Sequence, residues 1–187
     1  MKIGITGSLA SGKTTASKIL SFKRGPLFSA DNVVKKIYST NKLKKVISKK
    51  LKVKDLRNIK KEIINKILIN KSYIKKLEQI IQPIVREEMY KFSKKHKMKK
   101  FVFFEIPLLI ESKLMKKFDI IFFIKAKKSL RKRRFKLKGG NKKLFEILDK
   151  RQLSANKKIK FCDHIIINNK NLNVLKKSLS VIIKNYV

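Results

Sequence analysis

The stretch Lys2-Ile3-Gly4-Ile5-Thr6-Gly7-Ser8-Leu9-Ala10-Ser11-Gly12-Lys13-Thr14-Thr15 decides the fold. Residues 2–6 form a short apolar, β-branched run of strand length. Gly7 to Thr14 then satisfy G-x-x-x-x-G-K-[ST] in full, and helical periodicity follows over residues 13–22. Gly7 and Gly12 permit backbone dihedrals that strain other residues. The loop between them can turn successive N–H groups inward as an anion nest, and the following helix adds its positive end. Lys13 is placed to reach β- and γ-phosphates, and the Thr14 hydroxyl to ligate Mg²⁺. The chain has only six glycines, and two stand at the two required positions. The expected ligand is a nucleoside triphosphate.

Outward from this loop, four more runs of strand length appear, at residues 26–29, 101–105, 119–124 and 164–168. Each is apolar on both faces, the pattern of a parallel sheet covered by helices on both sides. Helical periodicity fills residues 31–39, 128–137, 142–156 and 172–186, and a lysine-rich stretch over 42–97. Strand and helix alternation predicts an α/β fold with a five-stranded parallel sheet. One domain is expected over residues 1–187. The strand-free segment 32–97 is too long for a crossover and predicts a helical subdomain, with Pro83 kinking or restarting its last helix. Residues 127–156 read as a helical hairpin with Gly139-Gly140 at its middle, a candidate lid.

Of the 187 residues, 43% are hydrophobic and 34% charged, which argues against disorder. The single cysteine, Cys162, excludes an internal disulfide framework and a cysteine-built metal site. No apolar run approaches a membrane span, and residues 1–7 lack the apolar core of a signal peptide, so a cytoplasmic location is expected. Lys and Arg total 51 against 12 acids, a net charge of +39. The 44 lysines are spread along the whole chain, which fits an AT-rich coding bias better than a dedicated polyanion face.

Two acids end apolar strands. Asp31 closes Leu27-Phe28-Ser29-Ala30-Asp31 and is either a helix cap or the group that aligns or deprotonates an attacking hydroxyl. Glu105 closes Phe101-Val102-Phe103-Phe104-Glu105, with Pro107 and Glu111 just beyond. It is either a carboxylate near the metal or a structural partner of a lysine. Arg131, Arg133 and Arg134 are either a solvated helix face or a phosphate clamp. Loop, acid and basic hairpin together read as a small-metabolite or nucleotide kinase.

The motifs in order resemble those of the dephospho-coenzyme A kinases over nearly the whole chain. Ser29-Ala30-Asp31 resembles that family's D-A-D, with Ser29 in place of the first acid. Leu77-Glu78-Gln79-Ile80-Ile81-Gln82-Pro83-Ile84-Val85-Arg86 resembles L-E-x-I-x-H-P-x-V-R, with Gln82 in place of His. Ile106 to Glu111 match P-L-L-x-E, Arg134 through Lys138 resemble the lid, Gln152 the Q that follows it, and Cys162 to Asn169 the A-D-x-V-I-x-N strand. Lys138 replaces the lid's second arginine and lacks its bidentate fork.

The resemblance implies a phosphate-loop NTPase-type three-layer fold with a helical acceptor-binding insertion and a helical lid. It implies ATP-dependent phosphorylation of the ribose 3′-hydroxyl of dephospho-CoA, the last step of coenzyme A biosynthesis. Lys13, Asp31 and Arg134 would be catalytic. Ala10, Ser11, Gly12, Lys13, Thr14 and Thr15 would hold ATP, and Thr14 the Mg²⁺. Gln82, Arg86, Glu105 and Pro107 would meet the substrate. Neither nucleic acid nor membrane is needed as partner. The alternatives are a kinase of a nucleoside monophosphate or another small metabolite, and a basic nucleic-acid-binding protein.

Overall fold

The computed structural model describes residues 1–186. They form two compact units: residues 1–29 with the chain from His96 onward, and Ala30–Lys95.

In the first unit, β1 (Lys2–Gly7), β2 (Leu27–Ser29), β3 (Val102–Glu105), β4 (Ile120–Lys125) and β5 (His164–Ile167) make one sheet in the order β2-β3-β1-β4-β5. All four pairings are parallel, with Ile3 opposite Phe103 and Ile120 on either side of the central strand. Parallel pairing requires crossovers, and here they are helical. α1 (Lys13–Ser21) and α9 (Leu172–Lys184) cover one face. There Ala16, Leu20, Leu175, Leu179 and Ile183 close over Ile3, Ile5, Phe103, Phe122, Ile124 and Ile166 in the main core. The strands β3 and β4 are buried almost end to end, as strands covered on both faces must be.

β5 differs from the expectation of two apolar, covered faces. Ile166 is buried, whereas Ile165 and Ile167 are exposed. β5 is an edge strand with a single neighbour, so only its α9 face meets the core.

Between β4 and β5 stand α6 (Lys128–Leu137) and α7 (Lys142–Arg151), joined through Gly139-Gly140, and the short α8 (Ala155–Ile159). Two acids of α7 tie down α6. Glu146 takes Lys132 at 2.6 Å and Lys128 at 3.2 Å, and these two ammoniums hold its carboxyl below the usual carboxylate range. Asp149 takes Arg131 at 2.5 Å. The predicted helix over 142–156 breaks in two because Gln152 is extended (φ −82°, ψ 151°) and Ser154 caps α8 by accepting from the Lys157 N–H.

The second unit is helical throughout: α2 (Ala30–Ser39), α3 (Asn41–Leu51), α4 (Ile59–Ile69) and α5 (Ser72–Lys95). α5 packs against α2, α3 and α4. Pro83 does not restart it: the helix runs through as 24 residues, with Ile74, Ile80 and Met89 buried. One missing N–H is offset by that burial along a long helix. No helix among the described residues is long and apolar enough to cross a membrane.

Candidate active site

β1 is the middle strand of the sheet, and its carboxyl end opens directly into the phosphate loop. Gly12 sits at φ 98° and caps α1, a left-handed conformation that favours glycine; a Cβ there would press on the Asn168 side-chain amide. The first turn of α1 carries no acid, so its positive end is left to an anion. The Lys13 ammonium folds back to donate to the Ser8 carbonyl (2.8 Å) and the Gly7 carbonyl (3.2 Å). It is thereby held over the loop, 7% exposed, in the place where phosphate oxygens can replace those carbonyls.

Glu105, at the end of β3, is 1% exposed. Its two carboxylate oxygens accept from the Thr14 hydroxyl (2.6 Å) and the Ser29 hydroxyl (3.0 Å). Of the two sequence readings, the lysine partnership is not the arrangement found. A buried carboxylate beside a threonine hydroxyl is an oxygen donor set suited to a hard divalent cation that keeps waters and takes phosphate oxygens. These residues therefore fit Mg²⁺ with a triphosphate.

Two arginines of α6 reach the loop backbone. Arg134 donates to the Ser11 carbonyl (3.3 Å) and to the Asn168 carbonyl (3.1 Å). Arg131 is bound by Asp149 and donates to the Leu9 carbonyl (3.2 Å). Arg133 and Lys138 are exposed. Pro107 lies two residues past Glu105, and its carbonyl accepts from the Thr6 hydroxyl (3.2 Å). The first unit thus brings Lys13, Thr14, Glu105 and Arg134 onto one loop and its rim. Ala10 and Ser11 lie in that loop, and Thr15 is exposed in the first turn of α1.

The remaining candidates belong to the helical unit. Asp31 is exposed in the first turn of α2, two residues past the end of β2. Gln82 is half-buried and Arg86 exposed on α5, four residues apart and so on one helix face.

Three participants have no role in the sequence reading, although Asn168 is the closing Asn of the stretch that resembles A-D-x-V-I-x-N. Asn168 Nδ2 donates to the Ser11 carbonyl at 2.8 Å and clasps the loop from 157 residues away. Asp149 orders Arg131. Lys158, fully buried, pairs with Glu111 at 2.8 Å. Scarcity of acids flags Asp149 and Glu111 as worth partnering, yet 51 basic residues compete for them. Cys162 has no part in this chemistry: burial pushes its thiol up to about 12, which keeps it protonated near neutrality.

The model of the dephospho-CoA kinase family matches residues 1–173. A dephospho-CoA kinase from Rickettsia typhi is 34% identical over 187 residues, covering 99% of this chain and 97% of its own. One from Fusobacterium nucleatum is 35% identical, covering 96% and 95%. Among solved structures, a Thermus thermophilus protein superposes with a TM-score of 0.78 at 22% identity, covering 100% of this chain and 98% of its own. A dephospho-CoA kinase from Campylobacter jejuni gives a TM-score of 0.64 at 26% identity over 99% and 97%. With a glycine-rich loop, a buried carboxylate on its threonine and a basic hairpin already in place, a match over this much of its length settles the family: the chain belongs to the dephospho-CoA kinases.

Proposed function

We propose that this chain transfers the γ-phosphoryl group of ATP to the ribose 3′-hydroxyl of dephospho-CoA, giving coenzyme A and ADP. The observation that carries the reading is the Thr14–Glu105 pair beside the Lys13-bearing loop, in a member of this family. Loop amides over Ala10 to Thr15 bind the β- and γ-phosphates, and Lys13 exchanges its loop carbonyls for phosphate oxygens. Thr14, backed by Glu105, would hold Mg²⁺, which when bound neutralises charge on the β- and γ-phosphates. Arg134, already donating to the loop, turns one N–H to the transferring phosphoryl group, where negative charge is redistributed in the transition state.

Asp31 aligns the acceptor hydroxyl and takes its proton as the oxygen–phosphorus bond forms and ADP leaves. Its position directly after β2, whose Ser29 hydroxyl is held by Glu105, supports that role. Gln82 and Arg86 on one face of α5 serve the acceptor, Arg86 toward its pyrophosphate. Pro107 lines the acceptor side next to Glu105. The helical unit is then the acceptor-binding insertion, and α6 with α7 the lid. The reading needs no nucleic acid and carries a cytoplasmic location with it.

An ADP-release assay across dephospho-CoA, AMP, CMP, dTMP, shikimate and buffer tests the acceptor. Release above buffer with dephospho-CoA alone is the expected result. Release with a nucleoside monophosphate instead overturns the assignment of the acceptor while keeping a kinase.

A further inference from the structure

Lys158 is the only lysine or arginine among the described residues with a fully buried side chain, and the chemistry above does not use it. Its ammonium has three partners: Glu111 Oε1 at 2.8 Å, the Pro107 carbonyl at 3.3 Å and Gln152 Oε1 at 3.4 Å. The same Glu111 oxygen also accepts from the Leu153 N–H at 2.9 Å. Glu111 Oε2 is buried with no partner among the described residues.

Such a pair is a poor source of net stability. Removing two charges from water costs several kcal/mol per ion, and an unsatisfied acceptor adds to the cost, so a well-packed apolar pair of similar volume is often as stable. What the pair supplies is position. Gln152 and Leu153 are the residues at which the chain leaves α7, the second foot of the α6–α7 hairpin. Pro107 and Glu111 belong to the turn that follows the metal-side strand β3. The hairpin's first foot has its own tie, the Lys127 N–H on Asn169 Oδ1 at 2.8 Å. Between the two feet, Arg131 and Arg134 reach the Leu9 and Ser11 carbonyls.

We infer that Glu111, its carboxylate held by Lys158, is a positioning residue for phosphoryl transfer. Through the Leu153 N–H it fixes the second foot of the lid to the turn after β3, and through it sets Arg134 over the phosphate loop. Arg134 must meet charge on a group whose place is fixed by the loop, and a shift of about 1 Å at such a contact costs on the order of 10²-fold in rate. This inference rests on the kinase reading given above.

The test separates position from stability. Glu111→Leu/Lys158→Met replaces the pair with apolar groups and removes the acceptor for the Leu153 N–H. Glu111→Gln/Lys158→Met removes both charges but keeps an amide oxygen for that N–H. The expected result is a kcat lower by roughly 10²-fold in the first variant. Its KM for ATP stays within about threefold of the wild type, because loop binding is untouched. Amide exchange over residues 128–151 becomes faster, while the melting temperature is kept. The amide-bearing variant returns to within about fivefold of wild-type kcat.

Leu153→Pro is the companion if the first variant fails to fold. It deletes the backbone donor together with a leucine side chain that is 38% exposed, and the extended Gln152 before it is compatible with a following proline. It is expected to lower kcat in the same way. Wild-type kcat and wild-type exchange over 128–151 in the apolar variant, or in Leu153→Pro, overturn the inference. So does an amide-bearing variant that falls as far as the apolar one. Exchange is read without acceptor, so an anchored hairpin in a protein inactive on dephospho-CoA would refute the kinase reading and leave the anchor standing.

Discussion

The two units carry the same density of positive charge and use it differently. Ala30–Lys95 holds 20 of the 51 basic residues and 6 of the 12 acids, a net +14 over 66 residues, against +25 over the other 121. Yet the ten buried polar or charged residues among those described all lie in the first unit, Lys13, Glu105, Arg131, Lys158 and Asn168 among them. Among the described residues, the helical unit buries only apolar side chains, such as Ile37, Ile47, Leu51, Ile63 and Ile74, and none of its described lysines is buried. Burying a polar group costs free energy unless it is paired, so a cluster of paired, buried polar groups marks a place where geometry is being held. Net charge marks nothing here, because it is uniform. A charge this evenly spread also supports a compositional origin over a nucleic-acid face.

The largest effect expected from breaking this contrast is at Lys13. Lys13→Ala should lower dephospho-CoA-dependent ADP release by about 10³-fold, the upper range for losing one charge-stabilising donor. Its melting curve should stay close to wild type. Undiminished turnover in the folded variant would remove the buried cluster from the chemistry.

Asp31 asks whether the helical unit takes part in chemistry as well as binding. Asp31 lies inside the first turn of α2, past the cap position, so Asp31→Asn is nearly silent if the residue only favours the helix start. As the acceptor-aligning acid, its loss should lower turnover on the order of 10²-fold, with ATP binding and melting temperature unchanged. Turnover on saturating dephospho-CoA and a melt on one preparation decide between the two.

Arg134→Ala should lower kcat by about 10- to 10²-fold, since a hydrogen bond to a charged group is worth roughly 1.5–3 kcal/mol. KM for ATP should move less. The exposed Arg133, changed to Ala, should leave both alone, and a larger loss there would show that another face of α6 clamps the phosphate.

Asp149→Ala leaves Arg131 without its carboxylate in a largely buried place. A cost of about 2 kcal/mol, or some 4–8 °C in Tm, is expected, and differential scanning calorimetry reads it directly. The smallest effect belongs to the solvated lysines of α3. Lys49→Gln/Lys50→Gln should leave turnover and Tm unchanged, and duplex DNA binding should be weak at physiological salt. Tight binding whose logarithm falls steeply with log salt, at about −0.9 per phosphate, would return function to the surface charge.

The sequence alone determined the elements and the loop. Periodicity and length placed the five strands within a residue or two of β1–β5, and the G-x-x-x-x-G-K-T spacing located the loop at the end of β1 because its residues lie within eight positions of one another. Local signals of this kind depend on backbone conformation and on near neighbours. The tertiary structure alone decided which acid meets which base. Arg131 takes Asp149, Lys158 takes Glu111, Glu105 takes two hydroxyls instead of a lysine, and Asn168 closes on Ser11. It also decided that β5 lies at an edge with Ile165 and Ile167 uncovered, and that Pro83 sits inside an unbroken helix. The physical reason is the same in each case. These outcomes depend on packing between segments tens to more than a hundred residues apart, and with 51 cations available to 12 acids, composition leaves every such pairing open.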